Sequence, residues 1–302
     1  MTQIIKKRAM ILAALMTSAM VVPAAATDIT IENFVGMVKI VDGNDGVEVV
    51  RQGDKPADYR DSRGDIFIDG GLSDRERNKA CEGSGISWNL NFGGRGSEGN
   101  SRLEDYPELI ISVPSGSSLT IRDSALQLDS QVDLGDADLD VSGCFDIKVA
   151  SADRLTVDKS GSGEIEIGTV GMLKIEKSGS GDVEIGQASS FELDQSGSGD
   201  VDVDRVDGPV MIEKSGSGDI EIGSVDGKFS VDKSGSGDVE VQGGTISDLS
   251  IRNSGSGDVD INAAVGDAYV RASGSSDVYV KSISGSVDES TSGSSDFTRG
   301  DD

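Results

Sequence analysis

Ser178-Gly179-Ser180-Gly181-Asp182-Val183-Glu184-Ile185-Gly186 places a four-residue corner before a short run in which Val and Ile alternate with acids. Alternation at a period of two puts the apolar pair on one face and the carboxylates on the other, as in a half-buried β-strand. About eight residues after that pair, Phe191 and Leu193 form a second alternating pair, and a new corner opens at Ser196. In the other copies a turn with one apolar residue, such as Val170, Val206 or Val225, lies between the two pairs. Each copy therefore reads as strand, turn, strand, Gly-Ser corner.

The unit recurs along most of the chain. Ser-Gly-Ser-Gly begins at Ser160, Ser178, Ser196, Ser215, Ser234 and Ser254, and continues as Ser-Gly-Ser-Ser at Ser273 and Ser292. Successive starts differ by 18, 18, 19, 19, 20, 19 and 19 residues, and stepping back 18 from Ser160 reaches the degenerate copies at Ser142 and Ser124. A period in this range marks a solenoid. Antiparallel hairpins could use the same alternation, but an identical inward pair in every copy sets like on like most simply when coils stack in parallel. One coil buries about five apolar side chains, worth on the order of 10 kcal/mol, against roughly 1.5 kcal/mol of ordering cost for each of its residues. Alone it does not fold; stacked, it shares ladder hydrogen bonds with its neighbours. Ser, Gly, Asp and β-branched residues fill every copy, which argues against helix. The expectation is an all-β chain, a parallel β-solenoid (β-helix) of about nine coils of 18–20 residues with an irregular β N-terminal cap.

Residues 27–117 lack the corner yet alternate at Ile29–Ile31, Met37–Val41, Val47–Val50, Ile66–Ile68, Ile86–Phe92 and Leu109–Val113. They read as a cap over the open first coil of the repeat region, 118–302, because a bare edge would template aggregation. Gly70 to Gly85 and Arg95 to Glu104 read as loops. Ahead of the cap, Lys6, Lys7 and Arg8 precede an apolar run from Ala9 to Val22 and the small triplet Ala24-Ala25-Ala26. Residues 1–26 have the layout of a secretory signal peptide; the run is shorter than the ~20 residues of a membrane span. Export to the periplasm, the cell surface or the medium is expected, with no transmembrane segment after cleavage.

The formal charge is −27, and −30 once Lys6, Lys7 and Arg8 are removed. Such a surface repels nucleic acid and anionic lipid. Cys81 and Cys144 are the two cysteines. In an exported chain they are disulfide candidates, with two separate buried thiols as the alternative.

The corner glycines permit a sharp bend or close approach of backbone between coils. After each corner comes an acid: Glu164, then Asp182, Asp200, Asp219, Asp238, Asp258, Asp277 and Asp296. At the ~4.8 Å spacing of stacked strands neighbouring charges repel by roughly 1 kcal/mol in water, so compensation is needed. Lys159, Lys177, Lys214 and Lys233, five residues before the acid of their own copy, are read as a basic ladder flanking the acidic one. Asn253 and Ala272 replace the lysine in later copies, which makes Asp258, Asp277 and Asp296 the candidate metal ligands, with calcium as the candidate cation and no other cofactor. A calcium-binding β-roll is disfavoured, because the acid follows Gly directly and the second half of each copy has no Gly-Asp signature. Arg63-Gly64-Asp65 and Arg299-Gly300-Asp301 match a receptor-read tripeptide at a frequency chance explains.

Catalysis has little to stand on. The chain has no His, the commonest general base. No nucleophile elbow or phosphate loop fits its context, and carboxylate pairs are too abundant for any one to be informative.

The Ser-Gly-Ser-Gly-Asp-Val/Ile-x-Val/Ile unit, repeating after Ile111-Ser112-Val113-Pro114-Ser115-Gly116, resembles the bacterial GIN-domain family of auto-transporter adhesin heads. The opening Asp28-Ile29-Thr30-Ile31-Glu32-Asn33-Phe34-Val35-Gly36 is similar to the start of such chains. The resemblance implies a β-helical cell-envelope or secreted protein, with adhesion implied by name, and it carries no catalytic residues. The chain ends at Asp301-Asp302 without the membrane barrel of true autotransporters, so it is expected to be released, periplasmic or held by another protein. The leading expectation is a non-enzymatic, adhesin-like interaction scaffold of the bacterial cell envelope that contacts glycan or a surface protein. A periplasmic structural or calcium-binding module on the acidic ladder is the alternative, and an acid-based polysaccharide hydrolase or lyase comes third.

Overall fold

A computed structural model describes residues 26–54, 56–62, 65–81 and 105–300. Residues 1–25 of the expected signal peptide, the strand expected at Ile86–Phe92, the loop expected at Arg95–Glu104 and part of each Arg-Gly-Asp tripeptide lie outside them.

The cap contains β1 (Asp28–Glu32), β2 (Val35–Asp42), β3 (Gly46–Arg51), β4 (Asp58–Ser62), β5 (Asp65–Asp69), helix α1 (Asp74–Cys81) and β6 (Glu108–Val113). The coils follow as β7 (Ser118–Gly143), β8 (Asp146–Gly161), β9 (Glu164–Gly179), β10 (Val183–Gln195), β11 (Val201–Val206), β12 (Val210–Lys214), β13 (Ile220–Lys233), β14 (Val239–Val241), β15 (Gly244–Asn253), β16 (Val259–Gly274), β17 (Val278–Ile283), β18 (Val287–Gly293) and β19 (Phe297–Arg299).

From β7 onward every pairing is parallel, and at the inward strand positions the middle coils set apolar on apolar. Val183 lies between Ile165 and Val201, Ile185 between Ile167 and Val203, and Leu193 between Ile175 and Ile212. The five apolar side chains of one coil, Val183, Ile185, Ala188, Phe191 and Leu193, are all buried, and the same columns continue through the coils as one core. The 20-residue spacing from Ser234 to Ser254 is absorbed by a register shift between Gly227 and Lys228. The one-residue irregularity leaves both inward pairs in column.

In the cap, β1 lies between β5 and β7, and β2 between β6 and β7, all parallel. Beyond them β3 runs antiparallel to β6 and β4 antiparallel to β5. The parallel stack is thus covered at its N-terminal end by antiparallel strands that match no further coil. Gly70–Gly85 is not the uniform loop its charge implied, since α1 occupies Asp74–Cys81. Ser73 starts that helix with a capping box: its hydroxyl donates to Glu76 Oε2 at 2.8 Å and its amide to the same oxygen at 3.1 Å. Arg77, buried on the inner side of α1, donates to Leu72 O at 2.6 Å and pairs with Asp74 and Asp123. At the far end, the positions in register with Val270 and Val280 are Glu289 and Arg299, so charge takes over where the apolar columns stop.

Candidate interaction surface

The corner backbones stack so closely that no side chain fits between them. A Cβ on Gly197 would lie 1.8 Å from Gly179 O, and one on Gly199 would lie 2.3 Å from Gly181 O. The serines between the glycines, Ser162, Ser180, Ser198, Ser217, Ser236 and Ser256, point out and are exposed. Alternating bare backbone with small hydroxyls produces an open trough of about 1320 Å³ that runs along the stack from Gly143 to Ser256. At one end it meets Cys81 and Cys144, which form a disulfide with Cα atoms 5.6 Å apart. That bridge fastens α1 to the first corner.

Beneath the trough lies a feature the sequence reading misplaced. Lys159, Lys177, Lys214 and Lys233 do not flank the acids on the surface; they are buried, with 0–2 % of their area exposed, in one interior column with Gln195 and Asn253. The ladders show why. Residues 173, 175 and 177 continue a period of two, so Lys177 follows Leu173 and Ile175 inward. Each amine reaches a corner carbonyl: Lys159 donates to Gly181, Lys177 to Gly199, Lys214 to Gly216 at 3.1 Å and Lys233 to Gly257 at 2.6 Å. Gln195 and Asn253 are shorter and reach the carbonyl of their own corner, Gly199 at 2.6 Å and Gly257 at 2.8 Å. Phe145 closes the column at its N-terminal end, with Lys159 Nζ 5.6 Å from its ring centre.

Burial and the neighbouring Lys177 pull the Lys159 amine down to about 8, and burial with Lys214 does the same to Lys233. Burial also lowers Lys177 and Lys214. The acids of the ladder oppose that shift, Asp182 and Glu164 acting on Lys159 and Asp238 and Asp258 on Lys233. The compensating positive charge that the acidic ladder requires is therefore present, on the inner side of the same backbone.

The ladder carboxylates have a second partner. Asp182 Oδ1 accepts the amide of Asp200, Asp200 that of Asp219, and Asp219 that of Asp238, each at 2.8 Å. The series continues from Asp238 to Asp258 at 2.8 Å, Asp258 to Asp277 at 2.7 Å and Asp277 to Asp296 at 3.2 Å. Asp258, Asp277 and Asp296 thus stand in one column, joined through amides rather than converging. Among the described residues no three Cys, Asp or Glu side chains form a group that could hold a metal ion. The adjacent outward-facing column, Glu166, Glu184, Asp202, Glu221, Glu240 and Asp260, extends the acidic face. Within it, burial and then Glu221 raise Asp202, and burial and then Asp258 raise Asp260. Among the described residues no helix is long and apolar enough to cross a membrane.

Comparison with known proteins shows the family. The family model described as "Putative auto-transporter adhesin, head GIN domain" matches residues 97–224 and 186–284, more than half of the chain. No curated protein and no solved structure matches.

Proposed function

The chain belongs to the head GIN domain family of auto-transporter adhesins, and from that premise we propose that it is an exported, non-catalytic scaffold whose rigid faces engage glycan or a surface protein. One observation supports this reading above the others: the outward side chains repeat in register over many coils, with hydroxyls along the Ser/Gly trough and carboxylates beside it. The core and the corner bonds hold these columns in place without help from a ligand, so little ordering cost falls on binding. The absence of His from the whole chain is in keeping with a binding role.

The test is a glycan array and a cell-surface pull-down with the folded chain from residue 27. Saturable binding to a glycan or an envelope protein is expected; failure to retain anything from either would contradict the scaffold. Export is tested separately by fractionation and N-terminal sequencing, which should find Thr27 at the start of a mature chain outside the cytoplasm. The calcium-module alternative is tested by calorimetry with calcium, where no heat and no thermal shift would remove it.

A further inference from the structure

One exposed column breaks the acidic pattern of this surface. Asp158, Glu176, Asp194, Glu213 and Asp232 occupy the same outward position in successive coils, and then Arg252 and Arg271 take it. In the neighbouring column the residue beside Arg271 is Tyr269. The Arg271 guanidinium lies 4.1 Å and that of Arg252 5.3 Å from the Tyr269 ring centre. The two arginines differ in what else holds them. Arg271 is tied down by Val270 O, Asp288 O and Asp288 Oδ1, each at 3.0 Å. Arg252 is exposed, and among the described residues its guanidinium donates no hydrogen bond and makes no ion pair.

We propose that Arg252, oriented by Tyr269 and Arg271, is a carboxylate-binding site for a glycan that carries a single acidic sugar on an otherwise neutral chain. This inference rests on the scaffold reading above and names the ligand class. A guanidinium stacked on a ring keeps its planar N–H edge free, and that edge matches a carboxylate in two parallel hydrogen bonds. Stacking also restrains the side chain before binding, which lowers the ordering cost. Among the described residues no ion pair joins Arg252 to Asp232, its neighbour in register one coil away. The rest of the surface sets the selectivity: a chain of formal charge −27 repels a polyanion at long range, whereas one carboxylate meets mainly the local guanidinium pair.

The experiment titrates the folded chain by calorimetry with sialyllactose, its methyl ester, lactose and polygalacturonate. Arg252→Ala, Arg252→Lys and, as a distant control, Arg154→Ala follow, each checked for an unchanged far-ultraviolet spectrum. The site predicts binding of sialyllactose, at least tenfold weaker binding of the ester, of lactose and of polygalacturonate, a loss of tenfold or more in Arg252→Ala and Arg252→Lys, and no change in Arg154→Ala. Equal affinity for acid and ester, unchanged affinity in Arg252→Ala, or no binding of sialyllactose would overturn it. Binding of lactose as tight as that of sialyllactose would overturn the acidic-sugar site while leaving the scaffold reading intact.

Discussion

Lys233 Nζ donates to Gly257 O in the next coil at 2.6 Å, and a Cβ on Gly257 would stand 2.7 Å from that amine. The inward lysine and the bare corner are therefore coupled across coils. Asn253 bonds within its own corner instead, to Gly257 O at 2.8 Å. One coil later the corner carries Ser276 where earlier corners carry Gly, and Ala272 fills the lysine position.

Corner packing sets the first expectation. Gly197→Ala forces a methyl group to 1.8 Å from Gly179 O, backbone that cannot yield without parting two coils. It should cost about 3 kcal/mol or more, in the range of severe overpacking. Ser198→Ala, on the exposed side of the same corner, should stay within about 0.5 kcal/mol. Urea unfolding of the two variants checks the contrast, and equal effects would count against close corner stacking.

The buried amines give a pH dependence of definite sign. Burial pulls the Lys159 amine down to about 8 in the folded protein from an ordinary lysine value of 10.5. Below pH 8 both states hold the proton and the burial penalty is complete. Between about 8 and 10.5 the unfolded chain binds more protons than the folded one, so this group's contribution rises with pH. Relative to Lys159→Met, which lacks the group, the wild type should gain stability across that window. Matched denaturation curves at pH 7.5, 9 and 10.5 measure the difference; a falling difference would refute the interior placement.

Breaking the bridge between α1 and the first corner should loosen the cap. Cys81 and Cys144 are 63 residues apart, and a closure of that length is worth about 4 kcal/mol on a chain-entropy account. Paired Cys81→Ser and Cys144→Ser substitution should lower stability by about 2–4 kcal/mol. Hydrogen exchange should quicken first over Asp74–Cys81 and only later in the coils. Exchange that quickens uniformly would show that the bridge does not act through the cap.

The stack was legible because Val183, Val201 and Ile220 recur in the same place in every copy, and a repeated inward pair leaves parallel piling as the simplest arrangement. Lys177 was misplaced although its signal was present: it is the next inward position after Leu173 and Ile175, but its charge argued for solvent. What sequence conceals is the row of corner carbonyls that makes the interior hospitable to an amine. Helix α1 was also signposted, by Ser73 and Glu76 at capping-box spacing, inside a segment whose charge had marked it as loop. Strand β4 was not, since Asp58–Ser62 lacks apolar alternation and is formed by pairing with β5. Likewise the junction of Cys81 with Cys144 depends on a chain path through the cap that local pattern does not encode.

Amine acetylation of the native protein, read by peptide mass spectrometry, tests the stacked interior most directly. Lys174 and Lys228, on the surface, should be acetylated under native conditions, slowed only by their ion pairs, whereas Lys159, Lys177, Lys214 and Lys233 should stay unmodified until the protein is globally unfolded. Labelling of the four column lysines as fast as Lys174 under native conditions would contradict the in-register parallel solenoid.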